Sequence, residues 1–287
     1  WLDVTSTIPA NGTVTAMTVT TTATSGVNSS RNGFHAIELN GKMLLDNGVT
    51  PVDNFPSSSS TCRANVAAGF SITKYAPNGN EQTIGHGLNG IAPEMIIVKN
   101  LDHTYDWYVY HVGLDSSIPQ NKFINLNTNT AVSDSANAWN DTAPTGNVFT
   151  VKGGPTAYQY ANHIAYSFRS VEGFSKIGTW TGSGSSNGPM VYTGFEVAWL
   201  LWKVTTSNGN SANWYLLDGT RDSVNPAVKR LHPNTSDNEA TMGSGIDFLS
   251  NGFKILSSDT DINSSGLTYI YAAFSKNAFS LNGGLAR

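Results

Sequence analysis

The chain has 287 residues, of which only 13% are charged, and a net charge of −4 with its 16 Lys and Arg scattered singly. That distribution offers no basic stripe to a phosphate backbone and argues against nucleic acid as a partner. The single Cys62 excludes an intrachain disulfide, no run approaches the ~18 apolar residues of a membrane-inserted helix, and 39% hydrophobic residues with seven Trp suffice for a packed core.

Residues 1–66 read as a small β unit. Thr13 to Thr20 alternates as a strand, and Phe34 to Leu39 leads through Asn40-Gly41 into Lys42 to Asp46. Asn-Gly suits the tight type I′ hairpin, whose two central residues need positive φ. Ser57 to Ser60, with Pro51 and Pro56, reads as a linker that closes this unit near residue 66.

The remainder carries an internal repeat. Gly69-Phe70-Ser71 returns 104 residues later as Gly173-Phe174-Ser175, and the strand Met95 to Lys99 returns at the same offset as Trp199 to Lys203. Asp106 to Tyr110 matches Asn213 to Leu217, Asn147 to Val151 matches Asn251 to Ile255, and His163 to Phe168 matches Tyr269 to Phe274. Five blocks in one order define repeats at 67–172 and 173–287.

Each block is a short β-branched and aromatic run between Gly, Asn, Asp or Ser clusters. Within one of them Trp107, Val109 and His111 fall on one face and Tyr108 and Tyr110 on the other, because strand side chains alternate. The expected fold class is all-β: tandem duplicated β-sandwich-like repeats behind a small N-terminal β unit.

Ile84-Gly85-His86-Gly87-Leu88 with Ala92-Pro93, Trp139-Asn140-Asp141-Thr142-Ala143-Pro144 and Tyr192-Thr193-Gly194-Phe195, together with the repeat blocks, resemble an uncharacterised domain family of marine phage structural proteins. The resemblance spans about residues 69–280, and Phe34 to Asp46 resembles the closing hairpin of the concanavalin- or laminin-G-like domains that often adjoin that family. It implies a virion component on the extracellular surface, a tail fibre or other appendage used in host attachment. It also implies a homo-oligomer, a trimer by preference, in contact with other virion proteins, and it transfers no catalytic residue. The alternatives are a capsid decoration protein and a polysaccharide-degrading tail spike.

Candidate sites are few. His86 between two glycines could present its ring at a binding surface. Trp139, Trp180 and Trp202 lack Trp counterparts in the other repeat, so they are the candidates for stacking on a host glycan or burying a subunit contact. Trp107 and Trp214 do correspond, which favours a core role for both.

Asp259, Asp261 and Asn263 have the alternate spacing of a Ca²⁺ loop, but Ile270 stands where such a loop needs a bidentate Glu. Asx turns account for the same residues. The six His have no metal-ligand spacing, the six Glu fall in no catalytic motif, and Gly182-Ser183-Gly184-Ser185-Ser186 lacks a nucleophile elbow. The sequence therefore predicts neither an enzyme nor a cofactor or metal site.

Overall fold

The computed structural model describes residues 56–205 and 212–277, with the backbone of a hairpin at 37–39 and 42–44. The strands are β1 (Ile37–Leu39), β2 (Lys42–Leu44), β3 (Ser60–Asn65), β4 (Phe70–Tyr75), β5 (Glu81–Gly85), β6 (Met95–Asn100), β7 (Tyr108–His111), β8 (Lys122–Asn125) and β9 (Ser133–Asp134). They continue as β10 (Val148–Lys152), β11 (His163–Phe168), β12 (Ser175–Thr181), β13 (Met190–Tyr192), β14 (Val197–Val204) and β15 (Tyr215–Asp218). The last are β16 (Ala227–Arg230), β17 (Ala240–Leu249), β18 (Gly252–Ile255) and β19 (Thr268–Ser275). Two single-turn α-helices, α1 (Ala136–Trp139) and α2 (Thr260–Asn263), interrupt them. The protein is all-β, and no described helix is long and apolar enough to cross a membrane.

Besides the β1-β2 hairpin there are four sheets, ordered β3-β4-β11-β6-β7-β8-β9, β10-β5, β12-β19-β14-β15 and β13-β18-β17-β16. Every pairing of named strands is antiparallel. The central strands are apolar on both faces, which a sheet tolerates only when both faces are covered. In β6, Ile96 and Val98 enter one core while Met95 enters another. In β14, Leu200, Trp202 and Val204 enter one core while Leu201 enters the other.

Three apolar layers result. The first lies between the seven-stranded sheet and the β10-β5 pair, where Tyr75, Ile96, Val98 and Tyr110 meet Ile84, Phe149 and the α1 residue Trp139. In the second, Met95, Val109 and Ile124 of the first half meet Ile177, Leu201, Trp214, Ile270 and Ala272 of the second. The third joins the two four-stranded sheets through Trp180, Trp202, Tyr269, Phe253 and Ile255. Four layers of strands thus stack on one another.

Polar contacts fasten the middle layer. The Trp214 indole N–H donates to the Asn125 carbonyl at 2.8 Å. The Lys203 ammonium donates to the Thr128 carbonyl at 2.9 Å and lies 5.7 Å from the Trp214 ring centre. His111 accepts the Gly113 N–H at Nδ1, so Nε2 carries the proton and donates to the Tyr271 carbonyl at 3.2 Å. Gly113 itself is required by close approach, since a Cβ there would lie 2.1 Å from the Thr179 methyl across the layer.

Every repeat block overlaps a strand, although β7 and β15 begin only after Trp107 and Trp214 and β12 only at Ser175. The Ser57 to Ser60 linker does not survive: the N–H groups of Ser57 and Ser58 donate to the Thr83 carbonyl, Thr83 N donates back to the Ser57 hydroxyl, and Ser60 begins β3 on the edge of the large sheet. The serines serve as strand-end hydrogen-bonding groups, so the sheet begins before the expected boundary at residue 66. In the hairpin, Leu39 opposite Lys42 leaves a two-residue connection as expected. The turn residues and the Thr13 to Thr20 strand lie outside the described residues.

Two predictions follow from the middle layer. Trp214→Ala removes its central ring and orphans the Asn125 carbonyl, so urea unfolding should report a loss of about 3–5 kcal/mol. Burial pulls the His111 pKa down to about 4. The folded ring stays neutral while the unfolded ring protonates near 6.5, so its contribution is complete above pH 6.5 and is lost as pH falls toward 4, by about 3 kcal/mol. Burial also lowers the His86 and His163 pKa values, so the readout is the difference between wild type and His111→Gln in urea series at pH 7 and 4.5. The variant should lose distinctly less.

Candidate functional site

On the face of the seven-stranded sheet that carries the middle layer, one region lies outside it. There the end of β6, the loop of residues 101–107 and β11 enclose an open groove of about 600 Å³, lined by Lys99, Asp102, Tyr105, Trp107, Ile164 and Tyr166 among others. This size is within the range of small-molecule sites.

The loop is built by its own polar groups. Lys99 leaves β6 and its ammonium donates to the carbonyls of Asn100 at 2.7 Å, His103 at 3.1 Å and Tyr105 at 2.9 Å, using all three protons. The Asn100 carboxamide oxygen accepts from the N–H groups of Asp102 and His103, and its amide donates to His163 Nε2 at 3.1 Å. The Asp102 carboxylate accepts from Asn162 N at 2.6 Å and Asn162 Nδ2 at 3.0 Å, bonds that hold its pKa below the usual carboxylate range. At the far end Trp107 N donates to Asn127 Oδ1, while Asn127 and Asn125 amides both donate to Asp106.

Aromatic rings cover this frame. Trp107 and Tyr166 are both half-buried, with planes 19° apart and centroids separated by 6.4 Å. Tyr158 stands against His103 at 4.5 Å and against Tyr105 at 5.5 Å. Tyr105 and Tyr158 keep 38% and 40% of their surfaces exposed, an unusual cluster of accessible rings. The arrangement suits recognition by stacking and shape. Burial raises the pKa of the neighbouring Tyr108, and Asp106 and Tyr105 add to that shift.

The four residues singled out from sequence lie elsewhere and apart. His86 is fully buried, accepts Leu88 N at Nδ1 and donates from Nε2 to the Thr145 carbonyl, and burial lowers its pKa. Trp139 packs edge-on to Tyr110 and donates to the Lys122 carbonyl. Trp180 stacks on Tyr269 at 4.9 Å, and Trp202 on Tyr215 at 5.1 Å. All three Trp are core residues, none more than 5% exposed, so none offers a face to a glycan. Trp139 fills the core between the large sheet and β10-β5, and Trp180 and Trp202 that between the two four-stranded sheets.

Asp259, Asp261 and Asn263 also have separate tasks. Asp259 caps α2 through Asp261 N, Asp261 accepts the Tyr215 hydroxyl, and buried Asn263 ties Ser183, Ser185 and Ser257 together. Among the described residues no group of three His, Cys, Asp or Glu is placed to hold a metal ion. A second hollow of about 170 Å³ beside Glu196, Asp222, Phe248 and Lys276 is walled by groups already paired: Lys276 with Glu196, and Asp222 with the N–H groups of Val228 and Lys229.

Trp107, for which its repeat position favours a core role, lines the groove, and no repeat block or motif marks Tyr105, Tyr158 or Tyr166 as exposed or groove residues. The available signal was the density of rings in polar stretches: Tyr105-Asp106-Trp107-Tyr108 and Tyr158-Gln159-Tyr160.

Compared with known proteins, residues 4–278 match the sequence model of one family, described as Domain of unknown function (DUF7483). No curated protein matches the chain, and no solved structure does.

If Lys99 holds the loop, Lys99→Met should release it without unfolding the sheets. Amides of residues 101–106 should exchange hydrogen about 30-fold faster, equivalent to about 2 kcal/mol for the lost charge-assisted bonds, while β6 and β11 amides keep their rates.

Proposed function

The chain belongs to the family DUF7483, a domain of unknown function, and we propose that it is a structural component of a virus particle, part of a tail fibre or other surface appendage that attaches to a host. The resemblance of its strand blocks to phage structural domains supplies the setting. The observation that carries attachment is the groove: accessible rings held on a loop that the Lys99 ammonium fastens through three carbonyls, on a sheet buried from both sides elsewhere. Such a site presents a preformed surface, which lowers the ordering cost of binding.

We also read the two halves as duplicated sandwich-like repeats, 67–172 and 173–287. The order β4-β11-β6-β7 in the first half parallels β12-β19-β14-β15 in the second, and β5-β10 parallels β13-β18. Gly69 and Gly173, which open the matching triplets, both take left-handed φ, at +64° and +71°. Asn234 receives Trp214 N and bonds Asn213 as Asn127 receives Trp107 N and bonds Asp106. A trimer of such chains would present three grooves and raise a weak contact to useful avidity.

Immunogold labelling of intact particles with antibodies against this chain tests the proposal. Gold should decorate tail fibres or other appendages, and light scattering of the pure chain should give three times its monomer mass. Gold confined to the capsid shell would instead fit a decoration protein, and shortening of host polysaccharide by the pure chain a depolymerase. Either result would overturn the attachment reading.

A further inference from the structure

We propose that the groove over Trp107 and Tyr166 binds a neutral saccharide, one or two pyranose rings long. As the ligand of an attachment site this rests on the function proposed above, but the argument for it is local. Lys99 and Asp102 line the groove and are engaged, the ammonium by three carbonyls and the carboxylate by Asn162, as is Asp106 beside it by Asn125 and Asn127, while Lys74 stands exposed at the margin opposite Ile164. Among the Lys, Asp and His side chains of the lining the His103 ring is the one left without a hydrogen bond, so the lining itself offers a ligand no free carboxylate, ammonium or guanidinium, which disfavours phosphorylated, sulfated, carboxylated or cationic groups that need a partner on burial.

What remains available is ring faces and hydroxyls. Trp107 and Tyr166 contribute near-parallel, half-buried rings to the lining, which the exposed Tyr105 shares. Among the described residues the hydroxyls of Tyr105, Tyr166 and Thr104 make no hydrogen bond, so they are free to give and accept. A pyranose has the complementary make-up, with an apolar C–H face to lie on a ring and a periphery of neutral hydroxyls.

A protein partner fits less well. β11, β6 and β7 are interior strands of their sheet, so the groove exposes no strand edge for a peptide to pair with. Its volume of about 600 Å³ suits a ligand of small-molecule size, not the ~800 Å² per side of a stable protein interface. The corresponding place in the second half, at Lys203 and Trp214, is shut: both side chains are buried, with the Thr128 carbonyl over the ammonium. The opening is specific to the first half.

The test uses the full chain on an array of neutral oligosaccharides built from glucose, galactose and N-acetylglucosamine, beside sialylated, sulfated and uronic-acid ones. Calorimetry then follows on the strongest neutral binder. Binding should favour neutral glycans, and Tyr105→Ala and Tyr166→Phe should each be compared with wild type and with the remote exposed control Tyr192→Ala. Tyr105→Ala should weaken binding by about tenfold or more, Tyr166→Phe by a smaller factor because it keeps the ring, and Tyr192→Ala not at all. Retention of no glycan, retention of acidic glycans alone, or affinity unchanged in Tyr105→Ala would overturn the proposal. Appendage labelling without glycan binding would defeat this inference and leave attachment standing. Glycan binding without appendage labelling would do the reverse.

Discussion

The middle apolar layer is the constraint on which the rest of the structure depends. Each half has a sheet whose central strands are apolar on both faces, and one sandwich covers only one of them. Val109 and Met95 from one side and Leu201, Ile270 and Ala272 from the other bury the remaining faces against each other. Each of the larger side chains among them, Val109, Met95, Leu201 and Ile270, contributes roughly 1.5–3 kcal/mol, so the halves are far more stable stacked than apart. The polar groups caught in the layer are satisfied across it: Trp214 by Asn125, His111 by Tyr271, Lys203 by Thr128. Pairing spares the layer the cost of burying an unsatisfied indole, imidazole or ammonium.

That stacking also determines what is left open. Residues 111–114 and 124–132 of the first half reach over the second half's sheet, so that Trp214 and Ile270 are sealed. The second half does not seal the first to the same extent, and Ile164, Tyr166 and Trp107 remain half-exposed at the end of the same face. The groove is thus left where the second half's sheet does not reach over the first. Its loop could become rigid because Lys99, whose counterpart Lys203 spans the layer, turns back to bind its own loop's carbonyls.

Strand positions were legible because alternation and turn residues act locally. Val109 and His111 do share a face opposite Tyr108 and Tyr110, as their spacing requires, while Trp107 lies before the strand begins. Burial of individual rings was not legible, because it depends on which loop crosses which sheet. Trp107 and Trp214 each stand immediately before a strand, β7 and β15, yet one lines a groove and the other is 1% exposed, the difference lying in where residues 124–132 run. The inference that a Trp without a counterpart belongs on the surface failed for a related reason. Trp139, Trp180 and Trp202 complete cores whose opposite walls differ between the halves, α1 and β10-β5 in one and a four-stranded sheet in the other.

Native-state hydrogen exchange tests the central claim most directly, that the stacked sheets form one cooperative scaffold. If it is correct, amides of β6, β11, β14 and β19 will exchange with a single largest opening free energy, equal to that of global unfolding, and will respond together to denaturant. If β6 and β11 exchange at a markedly lower free energy than β14 and β19, the halves open independently. The shared layer would then not be the element that holds the structure.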